Sequence, residues 1–303
     1  MMPSSRSVRR GFTIVEIITA LTIVAIIGLS MTKLILGQTR SFQYDNGARR
    51  ARTAARSAMN ILITDLRMTQ DNGGVLGVDA INNRRVNVRV PTVFGFVCEN
   101  SGTSVVVSLV PTDSFQLATS KYGGYAVRDS VTGIYSYVSA GPTDTIQSAA
   151  PGRCHTNNVS LYADSARIAN RTGGVFIVSG ALPATAPIGA PMFVWQTVQY
   201  EFKPSNIYAG RFGLYRTVKG RADTDSTSDE LIAPFTSTAR FSYYAQNPYA
   251  TRDVPTTTAP ALNNIRGFQI YLPAESSDTM PTRNTPQTAN TTTAVFFKNT
   301  RVP

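Results

Sequence analysis

Residues 9–36 read RRGFTIVEIITALTIVAIIGLSMTKLIL, and this stretch decides how the chain is built. From Ile17 to Thr32 there is no charged side chain, and Lys33 can run its ammonium up to a polar boundary while its stem stays in apolar surroundings. Ile17–Leu36 therefore gives a run of twenty residues, about 30 Å as a helix, which spans a bilayer core. β-branched residues dominate the run. In lipid that is tolerated, because an isolated segment has no other way to pair its backbone. One residue is out of place: Glu16, a carboxylate at the head of an apolar helix, where an unpaired charge is costly. A cleaved secretory signal, cut near Gly28 or Ser30, is the competing reading, and it leaves Glu16 unexplained.

Beyond Gly37 the helical period continues. Tyr44, Ala48, Ala51, Ala55, Ala58, Leu62 and Leu66 recur every three or four residues, with Arg49, Arg52, Arg56 and Asn60 on the opposite face. Small residues on the stripe predict a helix lying close against a sheet. Gly37 and Asp45-Asn46-Gly47 are expected weak points, and Asp71-Asn72-Gly73-Gly74 an expected stop. After residue 74 the period changes to two. Val86, Val88 and Val90, Ser104–Val110, Gly174–Ser179, Val194–Phe202, Phe212–Val218, Phe241–Tyr244, Phe268–Leu272 and Ala294–Phe297 read as strands. Lys203-Pro204-Ser205-Asn206 and Ala209-Gly210 supply turn chemistry. Residues 250–264 and 274–293, rich in Thr, Pro and Asn, are expected to be exposed loops. The fold class is α+β: a long N-terminal helix, transmembrane in its first half and amphipathic in its second, packed on an antiparallel sheet. The expected division is residues 1–11, 12–36 as the membrane helix, 37–73 as its outer half, and 74–303 as a β-rich head.

The side-chain inventory limits the chemistry. Two cysteines, Cys98 and Cys154, and one histidine, His155, build no zinc cluster of usual spacing and no recognisable nucleophile–base pair. Neither a P-loop nor a dinucleotide fingerprint occurs. The expectation is a protein that is not an enzyme and carries no cofactor. Asp223, Asp225, Asp229 and Glu230 form a candidate calcium loop, though without the EF-hand glycine. Cys98 and Cys154 are a candidate disulfide in an oxidising compartment, and sequence does not supply their separation. The net charge of +11 calls for an anionic partner, lipid or nucleic acid, but the surplus is concentrated at Arg6, Arg9 and Arg10 and between Arg40 and Arg67. That is not a continuous nucleic-acid groove. The same distribution leaves membrane orientation open by charge count.

A short basic leader, then Gly11, Phe12, Thr13, Ile14, Val15 and Glu16 opening a twenty-residue apolar helix, resembles the class III signal of type IV prepilins and pseudopilins. The resemblance implies cleavage by a membrane prepilin peptidase between Gly11 and Phe12 and N-methylation of Phe12. It also implies a leader on the cytoplasmic side and a head in the periplasm or outside. Glu16 would then be the register charge, meeting the new ammonium of a neighbouring subunit; a subunit out of step would leave two buried charges unpaired. The stretches VQYEF (198–202), GLYRTV (213–218), ELIAPFTSTARFSYY (230–244), IRGFQIYL (265–272) and VFFKNTRV (295–302) resemble, in order, PilW-like minor pilins and the J-type pseudopilins of type II secretion. The implied partners are other pilins or pseudopilins, the prepilin peptidase, an inner-membrane assembly platform and membrane lipid. The implied role is a minor subunit that joins or primes a filament. A DNA-binding or adhesive pilus-tip subunit is the alternative. Residues 75–190 carry no part of the resemblance and read as an insertion or second β lobe.

Overall fold

The computed structural model describes residues 12–70, 73–101, 104–109, 113, 116–117, 120–141, 144, 146–148, 154, 175–179, 187–219, 226–245, 254–279 and 285–297. Its first element, α1 (Ile14–Met68), is one unbroken helix of 55 residues, about 80 Å long at 1.5 Å per residue. Thr13 caps it, and its C-terminal cap is Thr69, so it stops just before the expected glycines. The expected weak points do not interrupt it. At Gly47 the reason is packing: a Cβ there would come within 3.2 Å of the Gln287 side chain. The glycine admits the sheet to the helix surface rather than loosening the helix.

The strands are β1 (Val75–Val78), β2 (Arg85–Asn100), β3 (Ser104–Leu109), β4 (Gly124–Arg128), β5 (Tyr135–Ser139), β6 (Ile146–Ser148), β7 (Val175–Ser179), β8 (Pro191–Pro204), β9 (Phe212–Lys219), β10 (Ser226–Phe235), β11 (Arg240–Ala245), β12 (Ile265–Thr279) and β13 (Pro286–Phe296). All pair antiparallel in one sheet whose main path runs β11-β12-β10-β9-β8-β2-β3-β7-β6, with β13 on β12, β1 on β2, and β4 between β8 and β5. The expected loop at 274–293 is corrected here. β12 extends to Thr279, and Pro286 to Phe296 returns along it from Thr279↔Pro286 to Gly267↔Phe296. Its Thr- and Asn-rich sequence suits a strand with one wet face: Val295 is the residue of β13 that buries fully.

Among the described residues one sheet carries two large cores and a smaller cluster of Ala126, Phe193 and Trp195. Under the helix, Ala55, Ala58, Leu62 and Leu66 meet Val86, Val88, Val90, Val198, Tyr200, Phe202, Phe241, Phe268, Ile270 and Leu272. Phe202, Phe241 and Phe268 form a run of rings with centroids 5.2 and 6.4 Å apart. Away from the helix, Val93, Val97, Val105, Val107, Tyr125, Val127, Met192 and Val194 close a second core. Among the described residues only β2 and β8 serve both large cores, and a bulge between Pro91 and Val93 marks the change. Val194 therefore lies in a different core from Val198, Tyr200 and Phe202 of the same strand. The described strands of the middle of the chain, β3 and β4, pair directly with the two central strands β2 and β8.

Candidate functional site

The candidate site is the helix itself and the seat that holds it. From Phe12 to Leu36 every residue is solvent-exposed, and no described residue of the head covers this half. The apolar face is complete: Ile14, Val15, Leu21, Val24, Ile26 and Leu29 are each more than 60% exposed. By length and composition this segment is a candidate transmembrane helix, compatible with a single-pass membrane anchor. At its start the Thr13 amide and hydroxyl donate to the Glu16 carboxylate at 2.9 and 3.1 Å, while the Glu16 amide donates to the Thr13 hydroxyl at 3.3 Å. This reciprocal cap leaves Glu16 folded back toward Phe12. Gly11 and the basic leader lie outside the described residues.

The outer half of the helix is seated on β2, β10, β12 and β13. Ala51, Ala55, Ala58, Leu62 and Leu66 are wholly buried, so the expected stripe holds from Ala51 onward. Tyr44, expected to begin it, is half exposed. One acid sits on the buried margin. Asp65 accepts from the Tyr200 hydroxyl at 2.6 Å and from the Arg216 guanidinium at 2.9 Å. Burial, then the Asp65 carboxylate, push the Tyr200 phenol up; burial works against the Arg216 charge, but Asp65 and Tyr200 outweigh it and hold that guanidinium above its ordinary value. Further out, Arg50 pairs with Asp278 on the surface. Arg211 pairs with Glu275 at 3.6 Å in a mostly buried setting.

The acidic residues considered for calcium do not converge among the described residues, and no three His, Cys, Asp or Glu side chains there could hold a metal ion together. Asp229 and Glu230 are successive residues of β10 and point to opposite faces. Glu230 is occupied: it accepts from Ser205, Tyr215 and the Asn206 amide, the last two at 2.8 and 2.9 Å. Burial tends to raise its carboxyl, yet those three donors outweigh it and hold the group below the ordinary carboxylate range. Glu230 clips the β8–β9 turn. Asp223, Asp225 and His155 lie outside the described residues. Cys98 and Cys154 are joined in a disulfide.

Sequence reasoning missed Asp65, Tyr200 and Arg216. The available signal was an acid placed between Leu62 and Leu66 at the edge of the buried stripe, which demands a buried partner. It also missed Arg89, whose guanidinium lies 4.7 Å from both the Tyr137 and Trp195 rings and donates to the Gly73 carbonyl. No local pattern announces that contact. Comparison with protein-family models, with curated proteins and with solved structures finds no match to this chain.

Proposed function

We propose that the chain is a minor pilin or pseudopilin: a non-catalytic, membrane-anchored subunit, processed after Gly11 by a prepilin peptidase, that joins or primes a type IV pilus or type II secretion pseudopilus. The observation that carries the reading is the division of one helix. Its first half is apolar, free of the head, and holds Glu16 as the sole acid between Ile14 and Leu36. Its second half is fixed on the sheet by the alanine stripe and Asp65. A rod of this kind keeps an anchor and a head at fixed spacing, which a helical assembly of anchored subunits requires.

The test is processing. A peptidase that must bring the Gly11–Phe12 bond into an active site at the membrane surface will not accept a branched residue at Gly11. The Gly11→Val chain should keep its eleven-residue leader by intact mass and be missing from sheared filaments. Loss of the leader as in the wild type would overturn the proposal.

A further inference from the structure

The outer half of the helix carries charge that the head does not answer. Residues 37–68 hold Arg40, Arg49, Arg50, Arg52, Arg56 and Arg67 against Asp45 and Asp65. Asp65 is taken by Tyr200 and Arg216, and Arg50 by Asp278. That leaves Arg49, Arg52 and Arg56 exposed on one face, and among the described residues no acid pairs with them. They stand three and four residues apart, the spacing at which like charges repel and weaken a helix. A surface kept only for solubility would mix signs.

Beside the face runs a groove of about 630 Å³, between the helix from Asn46 to Ser57 and β10, with Arg49 on its rim and Ile207, Tyr208, Ile232 and Glu230 in its wall, the Glu230 carboxylate being already held by Ser205, Asn206 and Tyr215. Ile207 is 68% exposed. The combination is a trough of mixed polarity with the Arg49 guanidinium on its rim, beside a helix face that carries two more, Arg52 and Arg56. It fits a helix with carboxylates at three- and four-residue spacing.

We infer that this face docks an acidic helix of a different membrane-anchored subunit and discriminates against a second copy of this chain. The inference rests on the proposed function and names the partner class. A second copy would bring the same arginines and the same positive surplus. Lipid headgroups are out of reach. Arg49 lies thirteen residues beyond Leu36, about 20 Å along the axis, whereas the headgroup layer is only about 5–7 Å thick on each side. Guanidinium groups suit the role because each can hold a carboxylate through two parallel hydrogen bonds.

Charge complementation in the full-length chain tests this without a known partner. Wild type and the Arg49→Glu/Arg52→Glu/Arg56→Glu variant, labelled at the C terminus as donor and acceptor, are placed together in lipid vesicles, and energy transfer is read at low and high salt. The mixed pair should associate about tenfold more strongly than wild type with itself or variant with itself, a gain equivalent to about 1.4 kcal/mol. The gain should vanish near 1 M salt, where screening acts within about 3 Å. A neutral Arg49→Gln/Arg52→Gln/Arg56→Gln variant should self-associate more than wild type yet show no salt-sensitive pairing with it, which guards against a misfolded acidic variant. Wild type self-associating as strongly as the mixed pair overturns the inference. So does a mixed pair with no gain while wild type binds a 24-base-pair duplex and the variant does not, which assigns the face to nucleic acid. If the chain is processed and enters filaments but the mixed pair shows no gain, this inference fails alone. If Gly11→Val is still cleaved, the proposed function fails whatever the vesicles show.

Discussion

Glu16 shows how one residue can hold two roles that a single substitution confounds. Its carboxylate closes a reciprocal cap with Thr13, satisfying amide donors that the first turn of a helix leaves unpaired. On the proposed reading it also meets a neighbour's ammonium. Glutamine can still accept at the cap but carries no charge, whereas alanine does neither. Glu16→Gln should therefore keep the helix start, leader cleavage and membrane insertion, and lose incorporation into filaments. Breaking a buried charge pair costs about 3–5 kcal/mol, about a hundredfold or more in an assembly equilibrium. Glu16→Ala should show the same loss together with a frayed first turn. The ratio of each variant in sheared filaments to that left in membranes is the measurement, and a Gln variant that assembles like wild type removes the register role. The anomaly of Glu16 was legible in the sequence, because a carboxylate in an apolar run needs a reason. Its bond to Thr13 was legible as well, in the Thr-x-x-Glu spacing, but that spacing was read only as part of a processing signal. Asp65 was overlooked although it stands between Leu62 and Leu66, because only its partners on β8 and β9 reveal what it does.

At the scale of elements, the helix and the period-two strands were legible because each imposes its own spacing on apolar residues. The failures have one physical origin. Gly47 and the Thr- and Asn-rich stretch at 286–296 were judged by composition, and in each a tertiary neighbour decides the conformation. Gly47 stays helical because Gln287 and Ser276 pack where a side chain would be. β13 is a strand because β12 supplies its ladder. The alanine stripe states the same fact from the helix side: Ala51, Ala55 and Ala58 set how near the sheet can come. Ala55→Leu forces several carbon atoms into a closed contact and should destabilise the chain by about 1–3 kcal/mol. Asn60→Leu, an enlargement on the exposed face, should cost far less. Urea unfolding of the two variants checks this. Equal losses would mean that the helix is not seated through its alanines.

At the scale of the whole molecule, the two cores raise the question of whether they unfold together. β2 and β8 pass through both, and Arg89 pins the joint by stacking on Tyr137 and Trp195 while holding the Gly73 carbonyl. These contacts favour one cooperative unit. Against them stand the Pro91–Val93 bulge, which interrupts the ladder where the cores meet, and the separate membership of the two clusters. The disulfide belongs to one side only. Cys98 at the far end of β2 and Cys154 close a loop of 56 residues that contains β3 to β6. By chain entropy that loop is worth about 4 kcal/mol to the folded state. Replacing both cysteines with serine should therefore act unevenly. Amide hydrogens of β3, β4 and β5 should exchange faster by orders of magnitude, while those of β9, β11, β12 and the helix from Ala51 to Leu66 keep their protection, because local openings need not involve the other core. A uniform rise in exchange across both sets would show that β2 and β8 bind the lobes into a single unit. The loss of the bridge would then reach the seat of the helix, and the head could not be loosened at its far end without loosening its hold on the anchor.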